Sequence, residues 1–276
     1  MVQRAWFSAG LLSEVPRVRE TLPSVGLGTL SQPAKQEISL RRLGIVVAMT
    51  AEARSLVREP TVTDELIHLA EGILLKLSGI GPRRAGEAAK NLLEHGATAL
   101  LSWGCAGALV PTLSPGSVVL ANSVIGADQS FYSSDPTWHG RLLNRLKDCV
   151  DLHQGPLAES STVLRSAAEK RNLFERTGAI AVDMESGAVA RVAQGAHAPF
   201  MAVRAIADSA NMAIPQSSVG VIDEFGELNL LRLLKELIRQ PFELFAMIRL
   251  GWNFRTAQLT LAKVARLAGT DLLLPQ

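Results

Sequence analysis

The chain is short of several things, and each shortage excludes a class of protein. It has two cysteines, Cys105 and Cys149, in 276 residues. Two are too few for a disulfide framework and are not spaced as a metal-ligand pair, so a reducing compartment is expected. Five histidines are scattered, no two at a metal-ligand spacing, so neither a metal nor a cofactor is expected. Aromatic residues make up only 5% and the net charge is +2. That is poor material for stacking bases, and no nucleic-acid partner is expected. No run approaches the roughly 18 to 20 apolar residues that span a bilayer.

Residues 1–42 carry Arg4, Glu14, Arg17, Arg19 and Glu20 among several Gly and Pro. The apolar stretch Ala5 to Leu12 is short, and no small-residue cleavage site follows it. This region reads as a poorly ordered N-terminal extension and not as a signal peptide, with a cytoplasmic protein expected.

What is present is alternation. Hydrophobic residues at 47% with 20% charged fit one globular domain with a sizeable core. Gly44 to Ala48 is a buried strand by its continuous apolar run, followed by a helix over about 51–57. Ile73 to Leu77 is a second strand, ending in Ser78-Gly-Ile-Gly81. Pro82 then opens a helix to about His95, with Gly96 just beyond its end. Ala97 to Trp103 is a third strand, ending in Gly104-Cys-Ala-Gly107. Val118 to Ala121 and Val124-Ile125 read as further strands. Helices are predicted over Trp138 to Val150 and Ala167 to Arg176. Strand Ala179 to Val182, helix Glu185 to Gln194 and strand Phe200 to Ile206 complete the pattern. The fold class is α/β: a single domain with a twisted mixed, largely parallel sheet and helices on both faces.

The segment from about Leu228 to Leu267 differs. It is helical by pattern, with breaks predicted at Pro241 and near Gly251. Its charges are mostly basic: Arg232, Lys235, Arg239, Arg249, Arg255, Lys263 and Arg266 against Glu236 and Glu243. Its apolar residues outnumber what one packed face requires. Two readings stand: helices that close the core or a dimer interface, or a basic amphipathic surface that docks on anionic membrane. The chain thus divides into residues 1–42, 43–225 and 226–276.

The candidate chemistry lies in Ala181-Val-Asp-Met-Glu-Ser186 and Arg204-Ala-Ile-Ala-Asp208. Glu185 and Asp208 are expected at the carboxyl ends of neighbouring strands, the edge where open α/β sheets bind ligands. Burying acids beside apolar strands costs free energy unless they are paired or used. Both would also suit ordinary helix starts, where the helix dipole favours a carboxylate. Arg204 is expected to point away from Asp208.

These two segments resemble the signature of the purine nucleoside phosphorylase and methylthioadenosine/adenosylhomocysteine nucleosidase superfamily. Leu43-Gly-Ile-Val-Val-Ala-Met-Thr-Ala-Glu52, Leu77-Ser-Gly-Ile-Gly-Pro-Arg-Arg-Ala85, Leu100-Leu-Ser-Trp-Gly-Cys-Ala-Gly-Ala-Leu109 and Pro115-Gly-Ser-Val-Val-Leu120 are similar to its other motifs, in its order. The resemblance covers roughly residues 43 to 225. It implies cleavage of an N-glycosidic bond. Asp208 is then the acid that protonates the departing purine, and Glu185 clamps the ribose 2′- and 3′-hydroxyls. Met184 packs under the sugar, and Glu52 activates water. Cys105, Ala106, Gly107, Thr162 and Val163 line the substrate, and Ser78, Gly79 and Gly81 face a phosphate or the 5′ side. Ser102 stands where the phosphorolytic branch has an arginine, which favours hydrolysis.

The sequence departs from the small-substrate nucleosidases: Cys105 replaces a hydroxyl, Glu159 to Leu164 has no stacking aromatic, and Ala207 precedes the acid. With the basic tail, the motifs look like the hopanoid-associated phosphorylase branch. That resemblance implies release of adenine from adenosylhopane, contact with the inner membrane face, and a homodimer. Methylthioadenosine/adenosylhomocysteine nucleosidase and phosphate-dependent phosphorylase are the enzyme alternatives. A nucleoside-binding membrane adaptor is the non-enzyme one.

Overall fold

A computed structural model describes residues 42–58, 65–215, 225 and 244–275. The expectations for residues 1–41 and for 228–243 lie outside the described residues. The described residues form nine strands: β1 (Leu43–Val47), β2 (Ile67–Ala70), β3 (Ile73–Leu77), β4 (Ala99–Ala108), β5 (Val118–Ile125), β6 (Phe131–Ser133), β7 (Leu152–Glu159), β8 (Ala181–Asp183) and β9 (Phe200–Asp208). The helices among them are α1 (Thr50–Ala53), α2 (Pro82–Glu94), α3 (Pro136–Leu146), α4 (Ala167–Thr177), α5 (Ser186–Gly195) and α6 (Leu244–Ala268).

The strands join in the order β2-β3-β1-β4-β8-β7-β5-β6, and β9 pairs with both β4 and β5. The second pairing closes β4, β8, β7, β5 and β9 into a ring. β1 is parallel to β3 and β4, and β9 is parallel to β4. β8 runs antiparallel to β4, and β5 antiparallel to β9, so the sheet is mixed as expected. β1 and β9 are buried at every position. Strands covered on both faces read as continuous apolar runs, which is why both are visible in the sequence. Alternate residues of β4 feed two core layers. Leu101 and Trp103 join Ile45, Leu120, Val203 and Leu261, whereas Leu100 and Ala106 join Val46, Val119, Val189 and Ile206.

Several boundaries differ from the sequence reading. β4 does not end at Trp103 but continues through the glycines to Ala108. β5 is one strand, with an irregularity between Ala121 and Ser123. There Gly155 and Pro156 of β7 pair opposite it, so the bulge absorbs a proline that reads as a strand breaker. Glu185 and Asp208 do not follow neighbouring strands, because β4 pairs with both β8 and β9 and lies between them.

α6 passes Gly251 without a break. Its inner residues Ala257, Leu261, Val264 and Ala268 are buried in the core that contains Met201, Val203 and Ala205 of β9. Tertiary packing of that face outweighs the glycine's intrinsic cost of about 1 kcal/mol. Past the helix, the Trp138 indole donates to the Leu272 carbonyl at 2.8 Å, and in its last turn the Leu267 carbonyl accepts from Arg145 Nε at 2.7 Å. The helix is therefore built into the same core as the sheet.

Candidate active site

One cavity of about 850 Å³ lies where β4, β8 and β9 end and α1 begins. Glu52, Cys105, Ala106, Gly107, Thr162, Val163, Met184, Glu185 and Asp208 all line it. Ser78, Gly79 and Gly81 do not line it; from their turn only Ile80 does.

Glu52 arrives on the short helix α1. It is 3% exposed, and backbone N–H groups hold its carboxylate: Cys105 at 2.7 Å and Met49 at 3.2 Å. The Cys105 thiol also hydrogen-bonds to it. A Cβ on Gly104 would lie 2.7 Å from Glu52 Oε1, so this approach requires glycine. Burial pushes the Glu52 carboxyl above its ordinary value, against these hydrogen bonds and the charge of Arg204. A raised carboxylate is a better base. Burial and the Glu52 charge push the Cys105 thiol well up, which keeps it neutral.

Asp208 ends β9, its carboxylate 3.1 Å from where a Cβ on Gly107 would be. Its partner is Lys170 of α4, whose ammonium donates to Asp208 Oδ2. Burial raises the Asp208 carboxyl, and Lys170 opposes that rise. The residue motifs did not point to Lys170. Its signal was positional: Ser166 and Glu169 form a capping box that starts α4, and Lys170 shares the helix's buried face with Leu173.

Glu185 precedes α5 and accepts from the Gly81 N–H at 2.9 Å. Gly81 has φ +108°, a conformation that favours glycine. Burial first, then the charge of Asp183, pushes the Glu185 carboxyl up to about 8. Asp183 itself is paired. Arg204 donates to it from Nε at 2.7 Å, and Ser186 Oγ donates at 2.5 Å. Arg204 also donates to Ser102 Oγ at 2.6 Å and Ser186 Oγ at 2.8 Å. It points away from Asp208, as the sequence led us to expect. Ser102 is fully buried in this network.

The remaining wall comes from α6. Met247, Ile248, Leu250 and Phe254 face the cavity, together with Ile214, Val163 and Leu164. Phe254 gives the site an aromatic ring that the Glu159–Leu164 segment lacks. Its distance in sequence from every motif hid it. Arg54 lines the cavity as well, whereas Arg83 is engaged on the surface with Glu87 at 2.8 Å. Among the described residues no cluster of His, Cys, Asp and Glu is arranged to hold a metal ion.

A family model described as the phosphorylase superfamily matches residues 42–239. Several solved structures share the fold. Helicobacter pylori 5′-methylthioadenosine/S-adenosylhomocysteine nucleosidase is 19% identical, covering 81% of this chain and 95% of its own, with a TM-score of 0.60. Helicobacter pylori futalosine hydrolase is 20% identical, covering 82% and 96%, with a TM-score of 0.62. The nucleosidase of Neisseria meningitidis is 22% identical, covering 84% and 100%, with a TM-score of 0.61. At these identities the likeness establishes the fold.

Proposed function

The chain belongs to the phosphorylase superfamily, and on that premise we propose that it hydrolyses the N-glycosidic bond of an adenine nucleoside carrying a large apolar 5′ substituent. The observation that carries this reading is the convergence of Glu52, Glu185 and Asp208 on one cavity. Each carboxylate has a separate task. Asp208 donates a proton to the purine as the bond to C1′ breaks and its electron pair passes to the base. Glu185 accepts from the ribose hydroxyls, stabilising a sugar that becomes cationic in the transition state, as in glycoside hydrolysis. Glu52 takes a proton from water as the water oxygen bonds to C1′. Met184 packs under the sugar, and Phe254 and Val163 flank the base or its substituent.

Water is favoured over phosphate because the cations near the site are committed. Arg204 is bound to Asp183, Ser102 and Ser186, and Lys170 to Asp208. Among the described residues that line the cavity, Arg54 is the one cation left to neutralise a phosphate, which is recognised by several charge-assisted donors.

The substituent follows from the α6 wall. A cavity of about 850 Å³ is near the top of the ~300–1,000 Å³ range of small-molecule sites. Its outer part is apolar, which suits a hydrocarbon better than a small thioether. Adenosylhopane, the substrate implied by the motif resemblance, meets that requirement. The outer surface of α6 supports a lipid setting. Phe245, Trp252 and Leu259 are exposed along one stripe, flanked by exposed Arg249, Arg255, Lys263 and Arg266. No acidic residue occurs in α6. Such a face suits binding to anionic membrane through apolar insertion and charge, which supports the reading that the enzyme works at the inner membrane face. No described helix is long and apolar enough to cross a membrane. A homodimer remains part of the proposal through the family resemblance.

The second reading is a methylthioadenosine/adenosylhomocysteine nucleosidase, favoured by the shared fold. Adenine release from adenosylhopane, methylthioadenosine and adenosylhomocysteine, each with and without phosphate, separates the readings. Phosphate-independent release from the lipid nucleoside alone supports the proposal. Preference for the small thio-nucleosides replaces it with the second reading, and strict phosphate dependence removes the role given to Glu52.

A further inference from the structure

Lys170 is 1% exposed, and its Nζ has three acceptors: Asp208 Oδ2, the Ser209 carbonyl at 2.7 Å and the Met212 carbonyl at 3.2 Å. An ammonium has three N–H donors and no acceptor capacity. The three oxygens therefore use it completely, and it has no hydrogen left for a ligand. The same three bonds tie α4 to the end of β9 and to the turn after it. A buried charge with this geometry is costly to place and has one counter-ion.

We propose that Lys170 is a positioning residue for the acid: it fixes Asp208 Oδ2, leaves the other oxygen to meet the departing base, and stabilises the carboxylate that proton donation creates. This inference rests on the reading of Asp208 as the acid. The proton moves from Asp208 to a ring nitrogen while the C1′–N bond pair enters the base. Lys170 neither gains nor loses a proton; it changes from the neighbour of a neutral acid to the partner of an anion. Without it, burial alone would make Asp208 a weaker acid.

The other titratable groups on the cavity wall have different positions or commitments. Cys105 faces Asp208 from β4 as a neutral thiol, and its partner is Glu52 on α1. Glu185 follows β8 and is held by Gly81, Asp183 is paired with Arg204 of β9, and Arg54 ends α1. Among the described residues, Lys170 is the one charge that acts on Asp208 directly.

The test is the pH profile of kcat/KM for adenine release by wild type, Lys170→Met and Lys170→Gln, with Asp208→Asn alongside. Loss of the ammonium raises the Asp208 carboxyl, so the acid stays protonated to higher pH. The alkaline limb should move up by about one to three pH units in both variants, while the plateau kcat falls. Lys170→Arg should restore the wild-type limb. An unchanged limb with a reduced plateau would reduce Lys170 to a structural tie and overturn the inference. Turnover in Asp208→Asn would instead overturn the acid assignment beneath it. A wild-type measurement covers the case in which the variants do not fold. A crystal structure of the wild type with a bound adenine nucleoside analogue should show the Lys170 ammonium still on Asp208 Oδ2 and the other carboxylate oxygen at a ring nitrogen of the base. An ammonium turned from Asp208 onto the ligand would overturn the inference.

Discussion

Gly104 and Glu52 share the space of one side chain: a Cβ added to the glycine would stand 2.7 Å from the Glu52 carboxylate. The strand β4 passes directly beneath the base that activates water in our proposal, and its backbone holds that base. Gly104→Ala should therefore displace Glu52 while leaving the β4 ladder paired. A displacement of about 1 Å costs on the order of 100-fold in rate. Steady-state kinetics should show that loss in kcat, with circular dichroism unchanged. Wild-type kcat in the variant would mean that Glu52 is not held there for catalysis.

Asp208→Asn keeps the shape of the acid and removes its proton. Turnover should fall by about 10²- to 10⁴-fold, the range that general acid catalysis contributes. Calorimetric titration with the nucleoside should still show binding, because Glu185 and the apolar wall are untouched. Equal turnover in variant and wild type would overturn the acid assignment, whereas binding without turnover in the wild type itself would leave the nucleoside-binding, non-enzymatic reading as the better one.

Substrate binding should depend on pH through Glu185. In the free protein its carboxyl is pushed up to about 8. Ribose hydroxyls donate to the ionised form, so binding favours loss of that proton. Affinity should then weaken by about tenfold for each pH unit below about 8 and level off above it. Titrating Asp208→Asn between pH 5 and 9 isolates this effect, since turnover no longer intervenes. Affinity that rises on acidification would reverse the assignment and make Glu185 a donor.

Much of this was legible in the sequence for a physical reason. β1 and β9 are buried on both faces, so they announce themselves as apolar runs, and the acids that follow them mark the ligand edge. β2 and β7 carry polar residues, and β7 holds Gly155 and Pro156 as well. Their pairing comes from the rest of the sheet and leaves no periodic mark. Strand adjacency was misread because β4, distant from both motifs in the chain, inserts between β8 and β9. Glu52, Glu185 and Asp208 could be named because each sits beside a strand end. Lys170 lies near the start of α4 and finds Asp208 only when α4 folds against β9. Phe254 reaches the cavity because α6 returns to pack on the core. Both are consequences of tertiary closure, to which local pattern is blind.

The α6 stripe predicts a membrane partner. Phe245 and Trp252 are 81% and 69% exposed and do not line the cavity. Phe245→Ser with Trp252→Ser should abolish most pelleting with vesicles of phosphatidylglycerol and phosphatidylcholine, and leave activity on a small soluble nucleoside intact. Added salt should weaken wild-type pelleting, because the flanking arginines act through screened charge. Equal pelleting of wild type and variant would assign the stripe to another partner, such as a second copy of the chain.

The closed ring of β4, β8, β7, β5 and β9 also bears on how this enzyme can diversify. Asp208, the Cys105–Gly107 run and the segment leading into Glu185 belong to strands paired on both sides, so their positions are coupled to one another. Moving one would disturb a closed circuit of hydrogen bonds. Thr162, Val163 and the α6 wall stand on the rim, outside that circuit. New substrates can be accommodated by rewriting the rim alone, so descendants of this chain should differ in what they admit long before they differ in how they cut it.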